Sequence, residues 1–226
     1  MTLRPGWLRR TRWRPRPGWC AALFLLVCLS PASAGSAFIT THEAQLDTIY
    51  QQGALDIDIR LDASRAILAP SLLDITSSAD LTSLFSLSPA AFPTVNLYFV
   101  DSVDFCGGSF NVGIVGCANS PGNQIVLESG WAASGLGGEL TAHELGHNLG
   151  LAHISDIANL MNPVLMGGSL FNAAQMASLT GSSLVQSDLS GDFISTAPVL
   201  ITPEPETWML LAAGCVALAW WRRRHG

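Results

Sequence analysis

Positive charge is nearly missing from the middle of this 226-residue chain. Nine of the eleven basic residues, all arginines, lie within the first sixteen positions or at 222–224, so residues 35–201 keep only Arg60 and Arg65. Fifteen acids stand against those two, a formal charge of −13. Such a field repels nucleic acid and offers phosphate groups no basic patch. Long hydrophobic runs are scarce as well: Ala21–Leu29 and the 14 residues Trp208–Trp221 fall short of the roughly 20 that span a bilayer. Of five cysteines, Cys20, Cys28 and Cys215 lie near the ends, and only Cys106 and Cys117 remain between them. There is no internal repeat. At 49% hydrophobic content the chain can bury one good core, which predicts a single folded domain.

The N-terminal lack of acids has its own meaning. Arg4, Arg9, Arg10, Arg12, Arg14 and Arg16 precede the apolar run, and Ala32-Ser33-Ala34 follows it, the order of a secretory signal peptide over residues 1–34. In an exported domain two cysteines predict a disulfide, Cys106 with Cys117, and closing that loop stabilises by roughly 2–3 kcal/mol.

What is present centres on His143-Glu144-Leu145-Gly146-His147-Asn148-Leu149-Gly150-Leu151-Ala152-His153. Residues four apart share a helix face, so His143 and His147 can present two imidazoles to one ion while Glu144 stands beside it. Gly150 tolerates the left-handed conformation that ends a helix and lets His153 return as third ligand. Three neutral nitrogens leave zinc a fourth position for water, whose proton Glu144 is placed to accept. Asp188 and Asp192 are the carboxylates that a rival ligand set would use, but His153 at the right distance makes them unnecessary.

Asn159-Leu160-Met161-Asn162-Pro163 comes shortly after. With the HExxHxxGxxH motif it resembles the metzincin zinc metalloendopeptidases, in which a methionine lies beneath the ligands. Met161 matches that methionine, with Met166 a weaker second candidate. The spacing from His153 through Asp156 and Ile157 to Pro163 is most similar to the matrixin branch. The resemblance implies an α+β fold, a mixed twisted sheet over a zinc-binding helix with a C-terminal helix. It also implies one catalytic Zn2+, protein or peptide substrates, Glu144 as general base, and an edge strand near Ile114–Ala118 that pairs with substrate. Pro163 by the same resemblance helps line the pocket. A second, structural zinc is not expected, since His42 is the only further histidine of the mature region. Ca2+ is an additional candidate given so many carboxylates, although none has the Asp-x-Asp-x-Asp-Gly spacing.

The last residues, Thr202-Pro203-Glu204-Pro205-Glu206-Thr207, then Trp208–Trp221 and Arg222-Arg223-Arg224, resemble the PEP-CTERM sorting signal of Gram-negative bacteria. As a helix the apolar part is about 21 Å long against a hydrocarbon core of about 30 Å. That suits brief retention at the inner membrane, handling by an exosortase-type enzyme and cleavage, with release outside the cell or to its surface. The organisation expected is therefore a signal peptide over 1–34, a catalytic domain over 35–201 and a sorting tail over 202–226.

Within the domain, periodicity predicts a helix over Phe38–Gln52 and a half-buried strand over Leu55–Leu61. It further predicts a helix over Leu72–Leu87, a central strand over Val95–Val100 and a strand over Gln124–Glu128 after the turn at Pro121-Gly122-Asn123. Gly137-Gly138 is expected to free the chain to enter the zinc helix, with Glu139 near the positive end of its dipole. A last helix is expected over Asn172–Leu184.

Overall fold

The computed structural model describes residues 37–203 and, in the tail, 214–216, 218 and 220–224; the signal peptide expected over 1–34 and most of the sorting tail lie outside the described residues. In chain order the elements are α1 (Glu43–Tyr50), β1 (Ile57–Leu61), β2 (Arg65–Leu68), a single 3-10 turn (Pro70–Leu72), β3 (Asp74–Ile75) and α2 (Ser78–Ser86). Then come β4 (Val95–Val100), β5 (Ser102–Val103), β6 (Phe105–Cys106), β7 (Ser109–Phe110), β8 (Gly116–Ala118) and β9 (Gln124–Glu128). The remainder is α3 (Ser129–Ala132), α4 (Gly137–Asn148), α5 (Ala173–Thr180), β10 (Gln186–Asp188) and β11 (Gly191–Thr202). The fold is mixed α/β.

One mixed sheet runs in the order β1, β11, β4, β9, β8, with β2 continuing β1 along the same flank of β11. Strands β1, β2 and β4 are parallel to β11, β9 is parallel to β4, and β8 returns antiparallel to β9. As the nearly continuous apolar run of 95–100 predicts, β4 is central and buried at every residue, Asn96 included. Its side chains alternate between two cores. Val95, Leu97 and Phe99 face the layer containing α1 and α4, whereas Tyr98 and Val100 face the layer under α2.

Several expected elements are shorter than predicted. The first helix begins at Glu43 rather than Phe38, and the first strand at Ile57 rather than Leu55. The stretch 72–87 is broken because Ser77 takes the N-cap, its hydroxyl accepting from the Asp80 amide, and the residues before it form β3 instead. The final helix stops at Thr180, ahead of Gly181.

The larger correction concerns the end of the domain, which is not a helix. Residues 191–202 form the longest strand and lie inside the sheet between β1 and β4. Pro198 hides this from sequence, since a central strand rarely tolerates a residue without an amide hydrogen. Here the carbonyls of Thr196 and Thr202 accept from Asp62 and Ala69 on the β1/β2 flank, so by alternation the Pro198 nitrogen faces that flank too. It meets the gap where β1 has ended at Leu61 and β2 has yet to begin at Arg65, and no ladder bond is lost.

The disulfide expected from composition is present. Cys106 is bonded to Cys117, with Cα atoms 5.6 Å apart, and ties the β6–β7 hairpin to β8. Reducing it is expected to lower unfolding free energy by about 2–3 kcal/mol, measured by urea denaturation with and without reductant.

Burial of Ile194, Val199 and Ile201 on β11 stabilises by roughly 5–9 kcal/mol. That matches much of the whole stability of a typical domain, about 5–15 kcal/mol. A chain ending at residue 190 is therefore expected to show no cooperative thermal transition by circular dichroism, while one spanning 35–203 does.

Candidate metal centre

The helix α4 that carries the first two histidines is held on several sides. Gly137 and Gly138 form its first turn, and they serve close approach rather than freedom of entry. A Cβ on Gly137 would fall on the Ala132 carbonyl oxygen, and one on Gly138 on the Gln45 side chain. Farther along, the Tyr50 hydroxyl donates to the Ala142 carbonyl at 2.9 Å, and burial raises the Tyr50 pKa well above its ordinary value. The helix ends as the sequence predicts. Gly150 has φ +90°, the Leu151 amide donates to the Gly146 carbonyl and the Gly150 amide to that of His147, a Schellman closure.

This closure brings the chain round to His153. His143, His147 and His153 are the only group of three or more His, Cys, Asp or Glu side chains among the described residues whose donor atoms could share an ion. Asp188 is instead paired with Arg60 at 2.6 Å, which holds its pKa down at about 2, and Asp192 accepts from Ser187. His42 bonds the Ala132 carbonyl with Nε2. Among the described residues the carboxylates form no group of three or more whose oxygens could share an ion such as calcium.

Backbone carbonyls decide which nitrogens meet. His143 Nδ1 lies 2.8 Å from the Leu160 carbonyl and His147 Nδ1 lies 2.8 Å from that of Leu151. A carbonyl only accepts, so both Nδ1 atoms carry the hydrogen and both Nε2 atoms keep a lone pair. These Nε2 atoms lie 3.2 Å and 3.0 Å from His153 Nε2. At most one proton, on His153, can sit among the three nitrogens, whereas a cation satisfies all of them. Donors bonded to a tetrahedral zinc are about 3.4 Å apart, close to this spacing.

All three rings are favoured as neutral ligands. Burial brings His143 down to about 4, against the help of the Leu160 carbonyl, and burial lowers His147 and His153 as well.

Glu144 is buried in the same cleft, and desolvation raises its pKa to about 8. It packs against β8: a Cβ on Gly116 would come within 2.9 Å of Glu144 Oε1. Met161 is fully buried beneath α4, where a Cβ on Gly146 would meet its sulfur at 2.5 Å. Met166 is 63% exposed, which removes it as the methionine below the ligands. The Met161 turn is fixed by the buried pair Asn159 and Gln175, whose amides bond each other, and Asn159 Oδ1 also accepts from the Met161 amide.

The cleft above the histidines holds about 490 Å³. Its walls are the stretch Gly113–Gly116 with Ala118 on one side and Pro163 and Leu165 on the other, and Cys106 also lines it. Strand β8 ends the sheet order on that side, at the edge expected near Ile114–Ala118. Sequence reasoning missed Gly116, Gly146 and the Asn159–Gln175 pair, because their roles exist only through contacts across 15 or more residues.

The two buried groups give opposite pH dependences in the metal-free protein. Glu144 favours the fold below its free-chain value near 4.5, and that contribution is lost as pH rises towards about 8. His143 favours the fold above about 6.5, and that contribution is lost as pH falls towards about 4. Metal-free Glu144→Gln is thus expected to lack the decline between pH 4.5 and 8 and to exceed the wild type in stability at pH 8, as read from urea unfolding at a series of pH values.

No curated protein matches the chain in a sequence comparison. Among the described residues no helix is long and apolar enough to cross a membrane. Residues 202–224 match the PEP-CTERM protein-sorting motif, which marks this as an exported protein of the cell envelope, recognised by an exosortase-type sorting enzyme.

Proposed function

We propose that the protein is a zinc-dependent metalloendopeptidase of metzincin type that acts outside the cytoplasm of a Gram-negative bacterium. The observation that carries this reading is the convergence of three neutral Nε2 donors in one cleft with a buried carboxylate, Glu144, beside them. Three imidazoles suit zinc among the common divalent ions and leave a position open for water or substrate. The buried Met161 below the helix and the edge strand beside the cleft agree with the same family.

His143, His147 and His153 hold the ion, which when bound supplies Lewis acidity and lowers the pKa of its water towards about 7. Glu144 accepts the proton of the attacking water and passes it to the leaving nitrogen. A cation beside Glu144 favours its ionised form, so the raised pKa that burial alone produces does not hold it protonated. The unpaired flank of β8 offers backbone groups to an extended peptide, and Pro163 and Leu165 face it across the cleft. With a domain charge of −13, cationic substrates are favoured.

Protein spanning residues 35–203 is expected to bind one zinc, cleave unfolded protein and lose activity to chelators. Glu144→Ala keeps the metal and loses turnover by about 10²–10⁴-fold, since the carboxylate is not a ligand. Metal analysis that finds no zinc bound at saturation would defeat the proposal. So would full activity in the alanine variant.

The tail is expected to be removed near Pro203-Glu204-Pro205 after export. Mass spectrometry of the C-terminus of protein from the native host checks this; an intact Arg222-Arg223-Arg224 on membrane-bound protein points to a permanent anchor instead.

A further inference from the structure

Glu139 lies in the first turn of α4, one turn before His143, and there its carboxylate also meets a loop. The residue is 4% exposed. Oε1 accepts from the amides of Met166 and Gly168 at 3.1 and 2.9 Å, and Oε2 accepts from that of Gly167 at 2.8 Å. Among the described residues the two arginines of the domain are engaged elsewhere, Arg60 with Asp188 and Arg65 with the Pro89 carbonyl. Three consecutive amides are the hydrogen-bond partners of this buried carboxylate, an arrangement expensive to leave half made.

Those amides belong to the loop that leaves the Met161 turn. Gly167 takes φ +87°, which allows neighbouring N–H groups to converge on one acceptor, and a Cβ on Gly168 would meet the Asn159 carbonyl at 2.6 Å. After Gly168 the chain pairs back, with the Ser169 and Leu170 amides donating to the Ala158 carbonyl. The Val164 amide bonds within the loop, to Asn162 Oδ1. Among the described residues, every hydrogen bond that ties 163–168 to another element therefore ends on Glu139. Leu165 lines the cleft between the exposed Val164 and Met166, and Pro163 lines it too. Leu140, next to Glu139 on the helix, completes this apolar wall.

We propose that Glu139 is a positioning residue that sets the selectivity of the cleft, by holding the 163–168 loop so that Pro163 and Leu165 form a fixed wall for an apolar side chain of the bound peptide. The inference rests on the peptidase reading for the nature of its ligand. Glu139 itself touches neither ion nor substrate; it acts through the loop.

Zinc-loaded protein spanning 35–203 is compared with Glu139→Gln, which keeps shape and two acceptor bonds but sets an amide donor against the Gly167 N–H. Glu139→Ala, which removes all three bonds, is the stronger variant should it fold. Three readouts separate wall positioning from general stability: zinc content, hydrogen exchange at 166–168, and calorimetric affinity for acetohydroxamate against a hydroxamate bearing a phenylpropyl chain. The expected result is one zinc in both proteins, faster exchange at 166–168, and a preference for the larger hydroxamate that falls roughly tenfold in the variant. With peptides, KM for a large apolar residue beside the scissile bond rises while kcat changes little. Unchanged exchange and preference overturn the proposal, as does loss of zinc in Glu139→Gln or a wild type with no preference between the two hydroxamates. A wild type that prefers the larger hydroxamate but cleaves no peptide defeats the peptidase reading alone, and the affinities still decide Glu139.

Discussion

Everything around the candidate metal centre depends on two hydrogen bonds made by the ring nitrogens of His143 and His147 that do not face His153. A histidine on a helix can turn either nitrogen towards a neighbour, and the free choice costs a metal site its affinity. Here the Leu160 and Leu151 carbonyls each take an Nδ1–H, at 2.8 Å in both cases, and leave both Nε2 lone pairs converging. The two carbonyls come from different devices. Leu151 is presented by the Schellman closure after Gly150, while Leu160 belongs to the Met161 turn. The helix end and the turn are therefore coupled through the imidazoles, and the Ile154 amide, donating to the Met161 carbonyl, links the chain after His153 to the same turn.

That geometry is maintained by buried polar groups, each of which is costly unless paired. Asn159 and Gln175 satisfy one another and brace the Met161 turn against α5. Glu139 meets three amides of the following loop. Glu144 differs from them: it is buried, its pKa is raised to about 8, and no protein group is bonded to its carboxylate among the described residues. A buried carboxylate without a hydrogen-bond partner beside three converging imidazoles is the mark of a candidate functional site.

The sheet imposes an order on how this arrangement is reached. Strand β11 lies between β1 and β4, yet it is among the last parts of the domain to be synthesised, and the sorting motif begins at its final residue, Thr202. Parallel pairing of β11 with β1 joins residues more than 130 positions apart, so the core closes only when nearly the whole domain is present. Export through a membrane and completion of the fold thus share one stretch of chain.

Much of the centre was legible in the sequence because its information is local. The shared face of His143 and His147 follows from helical spacing, the return of His153 from the glycine that ends the helix, and β4 from a nearly continuous apolar run. The sorting motif at the C-terminal end and the partnership of Cys106 with Cys117 likewise needed only composition and order. Tertiary structure alone decided the rest. The sequence pattern assigns residues 191–202 no element, and their Pro198 fits inside the sheet because it meets the gap between β1 and β2. Glu139 stands in the first turn of its helix as expected, but the three amides it accepts from belong to a loop 27 to 29 residues away. Gly116 and Gly146 carry no signal of their own, since their lack of a side chain matters only because Glu144 and Met161 occupy the space. Periodicity reports what a residue does to its neighbours in sequence, and these roles are set by neighbours that only folding brings together.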